Sequence, residues 1–286
     1  MAGRASISRA SPHRLNSGPA RRSTCGETRP SITPSSRSKP CLGRLRPMMT
    51  PPDLTPDLAL EAVTAAAATE APARDADGAF PTAAFEALRA LGVTANPPLG
   101  GRQMTRLLAL LAAAGRGDLS VGRIFEGHCN TLFLIQAHGT AEQRNNWFEA
   151  AASGALYGIW NTDQPGAPLR LENGVLLGGK SFSTGIDGLD RAIVTIDDGP
   201  KRQMITVPLA GLAVDRSWWR PVGMRASGSH IVDFTGLKVD PEWLLGGPGD
   251  YVGQPWFTAG AMRFAAVQVG GMHAILDLTL DHLSKT

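Results

Sequence analysis

The hydrophobic pattern of this 286-residue chain changes its period near Gly154, and this change constrains the fold more than any other feature. Over residues 50–153, apolar residues recur every three or four positions, as they do in amphipathic helices. Over residues 154–250, short apolar runs alternate with Gly, Pro and Asp clusters, which indicates strands. A helical pattern returns over residues 255–283. We therefore predict an α+β protein with three folded parts.

Local signals delimit these parts. Thr55 and Pro56 mark a helix start, Gly92 marks a helix end, and Thr140 with Gln143 forms a capping box. A helical bundle is therefore expected over residues 50–153. Strands are expected over residues 156–161, 175–183, 192–196, 204–208 and 231–239. Their spacing predicts an antiparallel β-barrel or sandwich over residues 154–250. Residues 251–286 are predicted to form the first helix of a truncated C-terminal helical domain.

The first 49 residues form a basic leader that we expect to be disordered, because prolines interrupt it and apolar periodicity is weak. Residues 1–50 contain ten basic residues and one acid, whereas the remainder contains eighteen basic and twenty-four acidic residues. The positive charge therefore lies outside the folded parts, and nucleic acid is excluded as a partner. The leader resembles a transit peptide, but we favour a translation start at Met48 or Met49.

Other classes of site have weak signals. Cys129 is the one cysteine outside the leader, which favours a reducing compartment. His128 and His138 have no flanking ligands at metal-site spacing, and Glu126 is a lone helical acid, so no metal site is predicted. The apolar runs are too short for a membrane span. We expect a cytoplasmic protein, or one in an organellar matrix if the leader is a transit peptide.

Residues 174–181 (GVLLGGKS) satisfy the phosphate-loop pattern of nucleotide-binding proteins. In such a loop, backbone N–H groups contact phosphates and a helix follows. Bulky residues fill this loop, and the sequence after Ser181 has poor helix propensity. We therefore disfavour a nucleotide triphosphatase.

Three segments occur in an order and spacing that resemble the middle domain of the acyl-CoA dehydrogenase family. They are KSFSTG at residues 180–185, GMRAS at residues 223–227 and LLGGPG at residues 244–249. The resemblance implies an FAD-dependent oxidoreductase that acts on CH–CH groups and that forms a homo-oligomer if the C-terminal domain is supplied. Its substrate would be an acyl-CoA or acyl-carrier thioester, dehydrogenated at the α,β position, and an electron-transfer partner would reoxidise the flavin.

By the same resemblance, individual residues receive roles at the flavin. Phe182 matches an aromatic residue that stacks on the ring, and Thr184 matches a hydroxyl near the reactive nitrogen. Ser183, Trp160 and Thr162 are also implied to contact the cofactor, and Arg263 to contact the substrate. Alternation along a strand predicts that Ser181 faces away from the flavin.

The chain also departs from the family. The family's small polar loop after the threonine is replaced by the DQPGAP segment at residues 163–168. At one of the positions where members place the catalytic base, this chain has Met262 ahead of Arg263, and methionine cannot accept a proton. No catalytic residue is therefore assigned, and the chain is expected to be inactive as a dehydrogenase by itself. Two alternatives stay open: a non-catalytic relative that binds a thioester or a partner, and a flavin-dependent monooxygenase on the same fold.

Overall fold

The computed structural model describes residues 56–198 and 201–285, so the predicted leader lies outside the described residues. The predicted helices are confirmed, and the short helix α2 was not predicted. The helices are α1 (Pro56–Ala68), α2 (Ala71–Asp77), α3 (Thr82–Ala90), α4 (Met104–Gly117), α5 (Leu119–His138), α6 (Ala141–Ala152) and α7 (Trp256–Ser284). The predicted capping box of α6 is present. The hydroxyl of Thr140 accepts from the backbone N–H of Gln143, and the side-chain oxygen of Gln143 accepts from the backbone N–H of Thr140.

Helix α5 is the central element of the helical part, and most of its residues are buried. Its N-cap is Asp118, whose side chain accepts hydrogen bonds from the N–H groups of Ser120 and Val121. The same carboxylate pairs with the buried guanidinium of Arg74 at 2.8 Å. Asp118 therefore stabilises the start of α5 and also connects it to α2.

The strands form small sheets that are mainly antiparallel, as predicted, with one parallel pair. They are β1 (Tyr157–Trp160), β2 (Arg170–Glu172), β3 (Val175–Leu177), β4 (Gly179–Ser183), β5 (Arg191–Asp198), β6 (Lys201–Pro208), β7 (Ala213–Asp215), β8 (His230–Asp233) and β9 (Leu244–Leu245). One sheet has the order β1-β5-β6-β9, another is β2-β3, and the third is β4-β8-β7. The parallel pair is β1 with β5. The short strands β2, β7 and β9 were not predicted.

The predicted strand over residues 175–183 is interrupted, because Gly178 has a positive φ of 89° and separates β3 from β4. Residues 174–181 therefore form strands rather than a loop that leads into a helix, and the phosphate-loop interpretation is wrong. The register of β4 against β8 shifts between Lys180 and Ser183, which marks a bulge. Phe182 lies within this bulge and has a left-handed φ of 55°.

The predicted final helix, α7, packs against α4 and α5. Small residues allow this close approach. A Cβ atom added to Gly270 would overlap the carbonyl oxygen of Ala112, and one added to Gly115 would overlap that of Val267. Further along α7, Met272, Ile275 and Leu278 are more than half exposed. No helix in the described part of the chain combines the length and hydropathy needed to cross a membrane.

Candidate functional site

A cleft with a volume of about 390 Å³ lies where α5, the end of β1 and the start of α7 meet. Its wall combines aromatic and apolar side chains with a small polar group. The lining residues are Arg123, Glu126, Asn130, Leu134, Ile159, Trp160, Asn161, Thr162, Phe182, Tyr251, Trp256, Phe257, Thr258, Gly260, Ala261, Arg263 and Phe264. Four of the six residues predicted to contact cofactor or substrate are among them: Trp160, Thr162, Phe182 and Arg263.

Phe182 presents an aromatic ring at this cleft. The side chain is 49% exposed, which is unusual for a phenylalanine next to a buried strand. Its ring meets Trp218 edge-on, with 4.7 Å between ring centroids, and Trp219 at 6.1 Å. The left-handed backbone at the bulge turns this one side chain outward between the buried Ser181 and Ser183. The hydroxyl of Ser181 donates to the carbonyl of Asp163 at 2.9 Å, and Ser181 is not among the lining residues.

The loop that carries Asn161 and Thr162 is held by an ion pair between a buried lysine and a partly exposed aspartate. The Nζ of Lys180 lies 2.6 Å from Oδ1 of Asp163 and also donates to the carbonyl of Asn161 at 3.2 Å. The N–H of Ser181 donates to the carbonyl of Thr162 at 3.0 Å. Burial lowers the pKa of Lys180, and Asp163 opposes that shift. The strand β4 therefore fixes the loop on which Thr162 is exposed.

Ser183 and Thr184 do not line the cleft. The Oγ of Ser183 is buried and donates to the carbonyl of Lys180 at 3.3 Å. The hydroxyl of Thr184 lies 2.9 Å from that of Ser229, and its carbonyl accepts from Nε1 of Trp160 at 3.1 Å. Thr184 instead lines a crevice too narrow for water, next to Trp160. The predicted cofactor contacts of these two residues stay predictions.

Sequence reasoning missed a polar group that helix α5 contributes to the cleft. Arg123, Glu126 and Asn130 lie on one face of this helix, and the carboxylate of Glu126 accepts hydrogen bonds from both of the others. Burial raises the pKa of Glu126, while the two arginines, Arg123 and Arg263, and Asn130 oppose that shift. The spacing of three and four residues was visible in the sequence, and it could have revealed this polar face on an otherwise apolar helix.

Arg263 extends this polar group from the opposite helix, α7. Its guanidinium donates from Nε to the side-chain oxygen of Asn130 and stacks over Phe133, with 4.4 Å to the ring centroid. The residue is only 2% exposed, and its Nη1 has no hydrogen-bond partner. Burial lowers the pKa of Arg263. Arg263 therefore connects the start of α7 to α5 at the wall of the cleft.

The buried histidine on α5 has a structural role. His128 lies between two backbone groups: its Nδ1 accepts from the N–H of Tyr157 at 3.2 Å, so Nε2 carries the proton that is donated to the carbonyl of Thr94 at 2.8 Å. Burial lowers the pKa of His128 to about 4. Among the residues that the structure describes, no group of three or more His, Cys, Asp or Glu side chains could hold a metal ion.

Comparisons with known proteins agree with this architecture. Residues 57–155 match the family model described as "Acyl-CoA dehydrogenase, N-terminal domain". Over 239 residues the chain is 27% identical to a dibenzothiophene monooxygenase of Rhodococcus qingshengii. The match covers 73% of this chain and 57% of that protein. The chain thus spans less than two thirds of the length of this relative.

Two solved structures share the fold. The complex of TdsC from Paenibacillus sp. A11-2 with FMN and indole has a TM-score of 0.62 at 23% identity, covering 74% of this chain and 61% of that one. The prolyl acyl carrier protein oxidase AnaB has a TM-score of 0.64 at 17% identity. The match covers 79% of this chain and 68% of that one. At these identities the likeness shows the fold alone.

Proposed function

We propose that this chain, which belongs to the acyl-CoA dehydrogenase family, is a flavin-dependent oxidoreductase with its cofactor in the cleft between α5, β1 and α7. The observation that carries the proposal is the meeting of the exposed ring of Phe182, the exposed Thr162 and the buried Arg263 in one cleft. These residues come from three separate segments of the chain, and the family resemblance independently assigns each of them to the cofactor or the substrate.

The lining residues fit an isoalloxazine ring. Such a ring needs a flat apolar surface on one face and hydrogen-bond donors at its polar edge. Phe182 supplies an exposed aromatic ring, the buried Trp160 adds to the lining, and Thr162 with Asn161 supplies polar groups. When bound, a flavin supplies electron-pair transfer to or from a substrate. The protein holds the ring, limits access of water and positions the substrate.

The cleft favours monooxygenation over α,β-dehydrogenation. Dehydrogenation of a thioester requires a base that removes the α-proton. Among the described residues that line the cleft, Glu126 is the only acid, and both of its oxygens already accept hydrogen bonds, from Arg123 and Asn130. A monooxygenase requires dioxygen and an electron donor but no such base. The curated relative is itself a dibenzothiophene monooxygenase. Dehydrogenation of an acyl thioester is the second candidate.

A flavin titration tests the shared part of the proposal. The purified chain should retain FMN or FAD, detected by the visible absorbance and quenched fluorescence of the bound flavin. The comparison of the two cofactors also tests FAD, which the resemblance implies, against the FMN seen in the TdsC complex. A chain that retains neither flavin would contradict the proposal.

A second experiment separates the two reactions. With bound flavin in air, a chemical reductant and indole, a monooxygenase should yield an oxygenated product that incorporates labelled dioxygen. Under anaerobic conditions, an acyl-CoA should not bleach the bound flavin. Rapid bleaching without an oxygenated product would replace monooxygenation with dehydrogenation.

A further inference from the structure

We infer that a pocket between α6 and the sheet β1-β5-β6-β9, called the α6 pocket below, binds a small zwitterion with an apolar body, of which an apolar α-amino acid is the simplest example. The α6 pocket has a volume of about 350 Å³. Among the residues that the structure describes, it shares no lining residue with the cleft proposed for the flavin. The inference therefore goes beyond the proposed function and does not depend on it.

The walls of the α6 pocket are fixed by contacts from α6 to both edge strands of the sheet. The Nε2 of Gln143 donates to the carbonyls of Glu242 at 2.9 Å and of Leu244 at 3.0 Å, which joins α6 to β9. The hydroxyl of Tyr157 on β1 donates to the carbonyl of Trp147 on α6 at 2.9 Å, and the two ring centroids are 4.4 Å apart. The pocket is therefore formed before a ligand binds, which lowers the cost of binding.

Arg191, the first residue of β5, supplies the positive charge of the α6 pocket. Its guanidinium lies over the ring of Trp147, with 5.2 Å from Cζ to the ring centroid. Its Nε is buried without a hydrogen-bond partner, whereas Nη1 and Nη2 are not buried, and none of the described residues accepts a hydrogen bond from them. Stacking uses the face of the guanidinium, and the N–H donors lie in its plane. Both terminal nitrogens can therefore donate to an acceptor in the pocket.

Two carboxylates, those of Glu142 and Glu242, are the other charged groups among the described lining residues. Both glutamates are exposed, whereas Arg191 is partly buried, so the negative charges lie further out than the positive one. No described residue forms an ion pair with either carboxylate, and neither is close enough to pair with Arg191. Two negative charges disfavour a simple anion. A zwitterion satisfies both signs, with its carboxylate at Arg191 and its ammonium at the glutamates.

The apolar part of the lining indicates the body of the ligand. Leu244 is 41% exposed and Trp243 is partly exposed, and both line the α6 pocket. Ala150 adds apolar surface from α6. The volume lies within the range of small-molecule sites, roughly 300–1,000 Å³. An apolar side chain would lie against Trp243 and Leu244 while the charged groups of the ligand contact Arg191 and the glutamates.

The test uses three probes that share one apolar body. L-phenylalanine carries both charges, L-phenylalaninamide keeps only the ammonium, and N-acetyl-L-phenylalanine keeps only the carboxylate. Calorimetric titration of the full chain is performed at about pH 6, where the ammonium groups are protonated. L-phenylalanine should bind about tenfold more tightly than either other probe, because each of those lacks one charge-assisted contact. Saturation with FMN should leave this binding unchanged, since the flavin is proposed to lie in the other cleft.

Substitutions locate the binding in the α6 pocket. Arg191→Gln should weaken binding of L-phenylalanine about tenfold and leave L-phenylalaninamide unaffected, because that probe has no carboxylate. The double substitution Glu142→Gln and Glu242→Gln should weaken binding of L-phenylalanine and leave N-acetyl-L-phenylalanine no weaker. Arg170→Gln and Glu172→Gln are the matched controls, since they remove the same charges from an exposed pair outside the pocket.

Each outcome decides the inference. If the unmodified chain does not bind L-phenylalanine, or binds either other probe equally well, the inference is overturned without any variant, even if Arg191→Gln fails to fold. Competition between FMN and L-phenylalanine would also overturn it, because the ligand would then occupy the flavin cleft. Retention of flavin without binding of L-phenylalanine leaves the proposed function intact. Selective binding of L-phenylalanine by a chain that retains no flavin would contradict the proposed function and keep the α6 pocket.

Discussion

The Nζ of Lys180 lies 2.6 Å from Oδ1 of Asp163, and the two partners differ greatly in burial. The lysine side chain is 1% exposed and the aspartate side chain 31%. Removal of the aspartate charge leaves a buried ammonium without its counter-ion, whereas removal of the lysine leaves a carboxylate that water can reach. The structure therefore predicts unequal effects of two substitutions in one ion pair.

Asp163→Asn should lower the free energy of unfolding by about 2 kcal/mol, the amount typical of a lost charge-assisted hydrogen bond to a buried group. Lys180→Met should cost less, because Asp163 is partly hydrated. Urea denaturation at neutral pH measures both. Glu172→Gln is the control, since its pair with Arg170 is exposed on both sides and should contribute little. A larger loss from Lys180→Met would contradict the burial argument.

The free energy of unfolding should decrease as the pH is lowered, because folding keeps His128 in its neutral form. Its pKa is about 4 in the folded chain and about 6.5 when exposed, so the folded state excludes a proton that the unfolded state binds. The stabilisation is complete above pH 6.5 and is lost as the pH falls from 6.5 to 4, by roughly 3 kcal/mol in total.

The substitution His128→Gln should flatten the dependence of unfolding free energy on pH in that window, although it also removes hydrogen bonds and lowers stability throughout. Denaturation at a series of pH values checks the slope. His273→Gln is the control, because that histidine on α7 is exposed to solvent. An unchanged slope in His128→Gln would show that other groups cause the acid sensitivity.

Because the backbone of Phe182 is left-handed, its substitution by glycine or by alanine should give two variants that differ in stability but lose flavin alike. At a φ of 55°, glycine is favoured over alanine by roughly 1 kcal/mol, because a Cβ atom is strained there. Phe182→Gly should therefore be more stable than Phe182→Ala, by urea denaturation.

Both variants of Phe182 should lose flavin more readily than the unmodified chain, because both remove the exposed ring from the cleft. Val222→Ala, which removes a fully exposed apolar side chain outside the cleft, should keep flavin binding unchanged. Ultrafiltration followed by absorbance of the retained flavin measures the difference. Equal retention by all three variants would exclude Phe182 as a flavin contact.

Gly270→Ala should destabilise the chain by about 1–3 kcal/mol, because the added methyl group would overlap the carbonyl oxygen of Ala112 on α4. The better helix propensity of alanine offsets part of this cost. Gly260→Ala, in the same helix, is the control, since its added Cβ would come no closer than 3.9 Å to Arg263. Thermal unfolding of the two variants gives the comparison, and equal melting temperatures would contradict the close packing.

Sequence patterns predicted the helices and the longer strands because their periodicity is a local property. Strands β2, β7 and β9 were missed because they have only two or three residues, too few to show alternation. The break at Gly178 was also missed, because the apolar run continues across it. Of the predicted cofactor and substrate residues, four reach the cleft. Thr184 does not, since its hydroxyl pairs with Ser229, 45 residues further along the chain.

The group of Arg123, Glu126 and Asn130 shows the limit of sequence reasoning most clearly. Each residue alone is ordinary on a helix, and their significance depends on Arg263, which lies 133 residues beyond Asn130. The thioester carrier, the homo-oligomer and the cytoplasmic location stay predictions from the sequence.

The glycine contacts between helices also set the spacing of two helices that line the cleft, α5 and α7. The side chain of Val267 packs against Gly122, where an added Cβ would lie 2.8 Å from its Cγ1 atom. Gly122 is one turn before Glu126 on α5, and Val267 is one turn after Arg263 on α7. The same Cβ atom would also lie 2.8 Å from the Cα atom of Gly115 on α4, so the contact among the three helices leaves no room for a side chain at position 122. A larger residue there would disturb the spacing of α5 and α7, the two helices that place Glu126 and Arg263 at the cleft.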